Sequence, residues 1–534
     1  MSLMKFIFTI HLALLFGVAL NAQIPGGFVV SMEAQEIPGI VGLHSFSFGV
    51  ADGKWLVLGG RRDGLHARQP FNAFPSNMNN TEIFVIDPQS SQVWSSDMDQ
   101  LPLSIQEQLQ STNTCFHQHG DTLYIAGGYA YSASAGDHIT FPCLIALNVS
   151  EVIEDVIQGT LTPEAFKQVA DSFFAVTGGR MAHEGNRLLI VGGHRFDGNY
   201  NPMGMPTYTQ AYTNAVRSFI PIHLDGLLQF AGADSITDEF HLHRRDYNLI
   251  PYGHPNGDDA FYISSGVFQP DVNLPYLYPV EISGNTINPR TEFSQYLSNY
   301  HCPTVSLFDG ESTHSLFFGG MSQYYYQNGS MTQDNQVPFI RTISMYSRNS
   351  AGEYTESILP LEMPGLKGSG AEFILNETLP QSEAGIIQMN DLQQDTILLG
   401  YIYGGINSSQ LNPFSSNQTS TTSASSVVYK VWLSRSSTSI EKLPRTSNWH
   451  PLTIFPNPAK ESIRFSLGQN VSEPTFFYLL DSNGKLADSG SCNLWEKQEG
   501  LFRYSLPSSI ASQQLELIVI TSDNNMWSCS FLKN

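Results

Sequence analysis

The side chains best suited to chemistry are basic residues that directly follow pairs of glycines. Arg61 and Arg62 come after one Gly-Gly pair, and His194 and Arg195 come after another. The chain has only 26 Lys and Arg residues, and guanidinium groups gathered at one place indicate a contact to an anion or a carboxylate. The alternative is that salt bridges to neighbouring acids, such as Asp63, hold these side chains in the fold.

Aromatic residues form a second group, because they are frequent in the long segments that follow the same glycines. We select Tyr129, Tyr324 and Tyr325 as ligand-binding candidates, together with the four basic residues above. Aromatic rings placed between Asn, Gln and Ser suit the apolar faces and hydroxyl groups of a sugar, or a peptide. The alternative is that the rings pack the long segments onto one another, since long loops need cores of their own.

Histidines and paired acids give no distinct site. Their spacing from the glycines differs, so the sequence gives no reason for the histidines to converge, and a metal site needs three or four ligands in one place. We therefore expect buried, hydrogen-bonded histidines, with no metal site and no cofactor. Asp258 and Asp259 follow a turn and are expected to face solvent. The histidines near predicted strands are His44, His117, His119, His183, His254 and His301.

The elements that must position these residues are copies of one pattern: a turn rich in Asp, Gly and Asn, an apolar strand, and then glycine. A strand, a tight turn and a second strand are typical of a β-hairpin. A third strand follows the pair, as at residues 83–87 and 144–147. The six copies end in glycine at positions 59–60, 127–128, 192–193, 266, 319–320 and 404–405.

This pattern resembles the kelch repeat, in which Gly-Gly ends the second strand and a Trp, here Trp94, lies on the fourth. Kelch repeats form β-propellers with four strands per blade. The resemblance implies an all-β protein whose residues 23–440 form a six-bladed kelch-like β-propeller. Residues 28–32 look like a fourth strand, so we expect the N-terminal strand to complete the sixth blade. Two helices are expected inside the second blade, at residues 150–159 and from Thr162 onwards.

In a four-stranded blade, the connections between the second and third strands emerge on the same face as the connections between blades. Here the former are long, and long loops on one face of a rigid scaffold are where function usually sits. We therefore expect ligand binding on this face. The six connections are residues 61–81, 129–140, 194–214, 267–276, 321–338 and 406–426.

The two ends of the chain indicate export. Residues 1–22 have the positive charge, the apolar run and the small final residue of a signal peptide. After a linker at 441–450, residues 451–534 predict a small C-terminal β-sandwich. This module resembles the type A C-terminal sorting domain of the bacterial type IX secretion system, since it has a hydrophobic-Pro-Asn-Pro motif at 455–458 and Lys533 near its end. The resemblance implies delivery to the outer-membrane surface or the medium by the type IX machinery; an ordinary carbohydrate-binding or Ig-like sandwich is the alternative.

Composition limits the partners and the chemistry. Five cysteines are too few for a disulfide scaffold, although Cys492 and Cys529 could pair. The net charge of -22 disfavours nucleic acid, and no segment of the mature chain approaches membrane-spanning length. We expect a secreted or cell-surface protein that binds a glycan or an extracellular protein without catalysis. The alternatives are a carbohydrate-active enzyme of the kelch type, either a sugar oxidase or an acidic-sugar isomerase, and a purely structural surface component.

Overall fold

The computed structural model describes residues 22–24, 28–204, 207–253, 259–327, 330–435, 449–467, 474–481, 486–492, 495–498, 501–507, 510, 513–521 and 526–533. The chain divides into two compact units, one ending at Ser434 and the other beginning at Arg435. All but the last residue of the predicted signal peptide, most of the predicted linker, His254 and Asp258 lie outside the described residues. The all-β prediction is confirmed, because strands dominate both units.

The described part of the first unit contains six larger sheets, numbered here in chain order, and four two-stranded hairpins. The elements up to sheet 2 are β1 (Ala22–Ile24), β2 (Phe28–Gln35), β3 (Ser47–Ala51), β4 (Lys54–Leu58), β5 (Glu82–Asp87), β6 (Gln92–Asp97), α1 (Leu103–Leu109), β7 (Cys115–His119), β8 (Thr122–Ala126), β9 (Tyr129–Ser132), β10 (Asp137–Thr140), β11 (Cys143–Asn148), α2 (Val149–Gln158) and β12 (Phe166–Ala170).

The strands of sheets 3 to 6 continue the same plan. They are β13 (Arg180–Glu184), β14 (Arg187–Val191), β15 (His194–Asn199), β16 (Thr207–Tyr212), β17 (Ala215–Leu224), β18 (Leu227–Thr237), β19 (Asn248–Gly253), β20 (Asp259–Ser264), β21 (Val280–Ser283), β22 (Thr286–Pro289), β23 (Thr304–Phe308), β24 (Ser312–Phe318), β25 (Tyr324–Gln327), β26 (Ser330–Gln333), β27 (Thr342–Asn349), β28 (Tyr354–Glu362), β29 (Ala371–Leu375), β30 (Ile387–Gln388), β31 (Thr396–Gly404), β32 (Ile406–Ser408), β33 (Thr422–Ala424) and β34 (Val428–Arg435).

The six larger sheets of the first unit share one strand order, and neighbouring long strands within them are antiparallel. Sheets 1 to 4 run β3-β4-β5-β6, β7-β8-β11-β12, β13-β14-β17-β18 and β19-β20-β21-β22. Sheet 5 runs β23-β24-β27-β28, with the short β30 parallel to β23. Sheet 6 runs β29-β31-β34-β2-β1, so the N-terminal strand β2 completes the sixth sheet, and that prediction is confirmed. The pairing ties the two ends of the first unit together and covers a sheet edge.

Each apolar core lies between two consecutive sheets. Leu56 of sheet 1, for example, shares a fully buried cluster with Ile125 and Ile145 of sheet 2. Equivalent clusters join sheets 2 and 3, 3 and 4, 4 and 5, and 5 and 6. A sixth cluster joins sheet 6 to sheet 1, and contains Tyr403 and Trp55.

The glycine pairs permit the close approach of neighbouring sheets. Gly127 has a φ of +66°, and a Cβ atom added there would lie 1.8 Å from the carbonyl oxygen of Val176, in the segment that enters sheet 3. A Cβ atom on Gly59, whose φ is also +66°, would lie 2.6 Å from the carbonyl oxygen of Leu109, in the segment between sheets 1 and 2. Both positions combine a left-handed backbone with a contact that no side chain tolerates, so the repeated glycines follow from the packing.

One of the two predicted helices is present. Helix α2 lies between β11 and β12, as predicted, and is capped by the Asn148 side chain, which accepts a hydrogen bond from the Glu151 amide at 2.8 Å. The helix predicted from Thr162 is wrong, because Pro163–Ala165 form a single 3-10 turn and the next five residues pair with β11 as β12. Sheet pairing outweighs the local helix-start signal there. Helix α1, which follows Pro102, was not predicted.

The described part of the second unit contains two sheets, and their buried side chains share one apolar cluster that includes Phe465 and Leu517. One sheet runs β35-β43-β42-β38-β39 and the other β36-β37-β41-β40. Cys492 and Cys529 are both free thiols. Across the described parts of both units, we find no helix with the length and apolarity to cross a membrane. The strands are β35 (Trp449–Pro451), β36 (Thr453–Phe455), β37 (Ser462–Ser466), β38 (Pro474–Asp481), β39 (Leu486–Ser491), β40 (Glu496–Gln498), β41 (Leu501–Ser505), β42 (Gln513–Thr521) and β43 (Met526–Lys533).

Candidate functional site

The loops expected to share one face do so. In each of the six sheets, a residue shortly before the first strand forms an isolated β-bridge with a residue shortly after the glycines that end the second strand. The connections between sheets and the long second-to-third-strand connections therefore emerge together, and we call this side the long-loop face. The bridges are His44–Arg61, Thr112–Tyr129, Thr177–His194, Arg245–Val267, Tyr300–Met321 and Leu366–Ser408.

Arg61, a predicted ligand-binding residue, is part of the loop structure. Only 2% of its surface is exposed. Its guanidinium donates to both carboxylate oxygens of Asp63, at 2.8 and 2.6 Å, and to the Asn79 side chain at 2.8 Å. These bonds occupy the guanidinium N–H groups that a ligand would need. Because Asp63 and Asn79 belong to the first long loop, Arg61 holds that loop in place.

Arg62 and Arg195 are more accessible, with 34% and 54% of their side chains exposed. Arg62 donates to the side chains of Asn80 and Glu82, and Arg195 donates to Asp197 at 2.6 Å. Ion pairs with local acids, the alternative in the sequence analysis, thus account for the geometry of both side chains. That either residue also binds a ligand stays a prediction.

Tyr129 and His194 are buried in the packing between loops. The Tyr129 hydroxyl donates to the carbonyl oxygen of Gly198 at 2.7 Å, and burial raises its pKa. The His194 Nδ1 atom lies 2.6 Å from the side-chain amide of Gln210, and burial lowers the pKa of its imidazole well below the usual range. Both side chains are directed into the protein.

The packing around Tyr129 extends over the long loops of sheets 1, 2, 3 and 6. His66 and Phe74 of the first loop stack with centroids 4.7 Å apart, and Tyr200 of the third loop meets His66 at 4.6 Å. Phe414 of the last loop meets the same imidazole at 5.4 Å. Burial lowers the pKa of His66 to about 4, so this ring is a neutral part of a loop core. Most of the aromatic residues on this face therefore pack loops together.

Tyr324 and Tyr325 lie on β25, away from that cluster. The ring of Tyr324 meets Tyr296 edge-on at 5.0 Å, while Tyr325 is 7% exposed. The next residue, Tyr326, is 38% exposed. The seven predicted site residues are thus spread over the loops of sheets 1, 2, 3 and 5, and none of them lines either of the two cavities described below.

An open groove of about 350 Å³ lies instead between the first long loop, helix α1 and the β9–β10 hairpin. Its exposed apolar walls are Leu103, which is 55% exposed, and Tyr131, which is 37% exposed. The other lining residues are mostly short polar or amide side chains with little charge: Ser76, Asn77, Thr81, Met98, Asp99, Gln106, Glu107, Gln110 and Ala133. A groove of this size, with aromatic and apolar walls and amide groups, has the properties of a small-ligand site.

The floor of the groove is fixed by a buried carboxylate. Glu107, on helix α1, accepts hydrogen bonds from the Ser132 hydroxyl at 2.8 Å and from the Ser134 amide at 2.9 Å. These bonds hold the β9–β10 hairpin against α1, and so place Tyr131 opposite Leu103. Sequence reasoning had placed Tyr131 on the long-loop face but missed α1. The available signal was the segment after Pro102, in which Ile105 and Leu109 are four residues apart, as on one face of a helix.

A second cavity, of only about 10 Å³, lies where the first strands of the six sheets begin. An ion pair spans it, because Arg180 of sheet 3 donates to the Glu372 carboxylate of sheet 6 at 2.8 Å. The space holds about one water molecule. Its walls include one residue from each sheet: Ser45, Asn113, Gly179, Asp246, His301 and Glu372.

Three histidines meet at the opposite ends of two of these strands, against the expectation that the histidines do not converge. His117 and His119 lie two residues apart on β7 and so share a face, and His183 lies on the neighbouring β13. The Nε2 atom of His117 is 2.8 Å from the Nδ1 atom of His183. Burial, with repulsion from His183, lowers the pKa of His117 to about 3, so this imidazole is neutral at pH 7.

Comparisons with known proteins give only distant likenesses to solved structures. No family model matches the sequence, and no curated protein matches it either. A solved structure titled "Structure of YjhT" is similar over 70% of this chain and 93% of its own, with 12% sequence identity and a TM-score of 0.40. A likeness at this level supports no statement about what this chain does.

Proposed function

We propose that the first unit is a six-bladed kelch-like β-propeller that binds a neutral glycan on its long-loop face. The architecture is supported by the repeated strand order, by the cores between consecutive sheets, and by the core that joins sheet 6 to sheet 1. Propellers of this kind present their loops as a rigid surface.

The groove between the first and second blades is the observation that carries the binding function. Tyr131 offers an exposed aromatic ring that suits the apolar side of a sugar, and Leu103 adds exposed apolar surface to the same groove. Asn77 and Gln110 also line the groove and carry amide groups that suit hydroxyls, whereas the amide nitrogen of Gln106 donates to the carbonyl oxygens of Asp99 and Leu101. A protein ligand remains the alternative within the same face.

We also propose that the second unit directs export by the type IX system after removal of residues 1–22. The two sequence features behind this proposal are linked in the fold. The Asn457 side chain accepts a hydrogen bond from the Leu532 amide at 3.0 Å, and the ammonium of Lys533 donates to the carbonyl oxygens of Pro507 and Ile510. The secretion machinery would thus recognise the Pro-Asn-Pro motif and the terminal Lys as one structural element.

The enzyme alternative is less well supported by the geometry. A sugar oxidase or isomerase acting at the axis of the propeller needs room for a sugar there. The axial cavity of about 10 Å³ holds about one water, and the pair between Arg180 and Glu372 crosses it.

Glycan binding is tested with the mature chain on an array of neutral and acidic glycans, followed by titration of the best ligand. We expect Tyr131→Ala to weaken binding by about 5- to 30-fold, the effect of losing about 1–2 kcal/mol from a stacked ring. Tyr326→Ala is the matched control, since this tyrosine has nearly the same exposure on another long loop. Equal losses in both variants, or silence across all glycans, would contradict the proposal.

A further inference from the structure

The convergence of His117, His119 and His183 has no role in the proposed binding face. One ligand atom from each side chain lies within 4.8 Å of the others. The long-loop connections leave the sheets at the start of the first strands, whereas these histidines lie toward the ends of β7 and β13. Any function of the cluster is therefore independent of the groove.

The spacing of the nitrogens is close to that around one zinc ion. Two nitrogens bound to zinc at 2.0–2.1 Å in tetrahedral geometry are about 3.3 Å apart. The His117 Nε2 and His183 Nδ1 atoms are 2.8 Å apart, so a displacement of about half an ångström admits the ion. His119 is an exposed side chain whose ring centroid is 4.4 Å from that of His183, and it supplies the third nitrogen.

A carboxylate lies on the far side of His183. The Nε2 atom of His183 is 3.8 Å from the Glu383 carboxylate, while its Nδ1 atom is directed at His117. Metal-bound histidines commonly donate their second nitrogen to such a carboxylate, which fixes the ring and makes it a stronger ligand. Glu383 is 86% exposed, so a short side-chain movement completes this hydrogen bond.

The segment that carries Glu383 is held in place by its neighbours. The Ala384 amide donates to the Asp259 carboxylate at 3.1 Å, and the Ser382 amide donates to the carbonyl oxygen of Ile386 at 3.0 Å. The segment follows β29 and leads into β30, so sheet 6 brings the carboxylate to a cluster built by sheets 2 and 3. Three distant parts of the chain therefore meet at the histidines.

We propose that His117, His119 and His183 bind one Zn²⁺ ion, with Glu383 as the carboxylate partner of His183. Three imidazoles with no thiolate suit zinc, and a three-histidine set leaves a fourth position for water. The exposed His119 and Glu383 provide the entry path from solvent.

The test uses the mature chain, prepared without a histidine tag and stripped with a chelator. Zinc titration by calorimetry, with metal analysis after gel filtration, is expected to give one ion per chain. His119→Ala removes a ligand and Glu383→Gln weakens the carboxylate partner, so we expect losses of affinity of at least tenfold and of about 10- to 100-fold, respectively. Both side chains are exposed, so these changes leave the fold intact, which the unfolding transition verifies.

Two control variants separate this site from general histidine or carboxylate binding. His223→Ala changes a histidine that instead contacts the Tyr124 hydroxyl at 2.9 Å, and Glu377→Gln changes an exposed acid in the same segment as Glu383. Both controls are expected to keep one zinc ion at unchanged affinity. Substitution of cobalt for zinc gives a visible tetrahedral spectrum in the parent chain and the controls, and not in His119→Ala. Zinc binding that is absent, or that His119→Ala and Glu383→Gln leave unchanged, would overturn the proposal.

Discussion

Replacing Gly127 by alanine tests the close approach of sheets 2 and 3. A Cβ atom at this position would lie 1.8 Å from the carbonyl oxygen of Val176 and 2.9 Å from that of Phe174. Both atoms belong to the backbone of the segment that enters sheet 3, so no side-chain rotation relieves the contact. The segment has to move by more than an ångström.

The magnitude follows from a comparison with Gly136, in the turn of the β9–β10 hairpin. Gly136 has a φ of +69°, against +66° for Gly127, but nothing lies within 4 Å of its added Cβ atom. The left-handed backbone costs alanine about 1–2 kcal/mol at either position. Overpacking adds about 1–3 kcal/mol at Gly127 only. We expect Gly136→Ala to lose about 1–2 kcal/mol of unfolding free energy and Gly127→Ala about 2–5 kcal/mol.

Equilibrium urea unfolding of the mature chain measures both values, because the unfolding free energy falls linearly with urea concentration. Hydrogen exchange read by mass spectrometry then locates the damage. Faster exchange is expected in peptides from β8 and β13 of Gly127→Ala, and only around the β9–β10 turn of Gly136→Ala. Equal losses of stability in the two variants would refute the claim that the repeated glycines are required by contact between sheets.

Two further substitutions test the first loop and the second unit. Burial would raise the pKa of Asp63, but the nearby His44 imidazole, 3.7 Å away, and the hydrogen bonds from Arg61 lower it to about 2, below its unfolded value near 4. The carboxylate therefore contributes about 2 kcal/mol to the free energy of unfolding above pH 4, and this contribution is lost as the pH falls toward 2. Urea unfolding should show that Asp63→Asn is less stable than the parent chain at pH 7, and that the difference shrinks between pH 4 and pH 2. A difference that stays constant over this range would contradict the ion-pair assignment. In the second unit, Lys533→Met leaves the carbonyl oxygens of Pro507 and Ile510 without their donor. We expect a local loss of about 1–3 kcal/mol, seen as faster hydrogen exchange within residues 501–533, and unchanged exchange there would count against a structural role for this lysine.

The sheets were predictable from the sequence because their signals are local. A turn such as Asp52-Gly53, an apolar strand and a final glycine specify a hairpin within a few residues, and the strand with its final glycine recurs six times, five times with a glycine pair. Closure by β2 was predictable because the last copy lacked an outer strand. Helix α2 was predictable from its caps, whereas the signal at Thr162 gave way to pairing with β11, which depends on the whole sheet.

The residues that form the sites were less predictable, because these sites depend on contacts between segments that are distant in the sequence. His66 and Tyr200 lie in loops of different sheets, and nothing near either residue indicates that they meet. The spacing of His117 and His119 does place both on one face of a strand, and that was the available signal for a cluster. The approach of His183 depends on how sheet 3 packs on sheet 2, and this distance is absent from any local pattern.

The distribution of charge connects the two proposed sites. Several of the few basic residues are inside the fold: Arg61 is 2% exposed, and Arg244 is fully buried, where it donates to the carbonyl oxygens of His241, Ser265 and Tyr278. The net charge of -22 makes the surface acidic, so these buried basic groups are not available there to attract anions. Such a surface repels acidic sugars and attracts divalent cations. A groove lined by one tyrosine ring, apolar and amide side chains and the acids Asp99 and Glu107 is then suited to neutral glycans. A histidine cluster at the other ends of the strands is suited to a metal ion, for the same electrostatic reason.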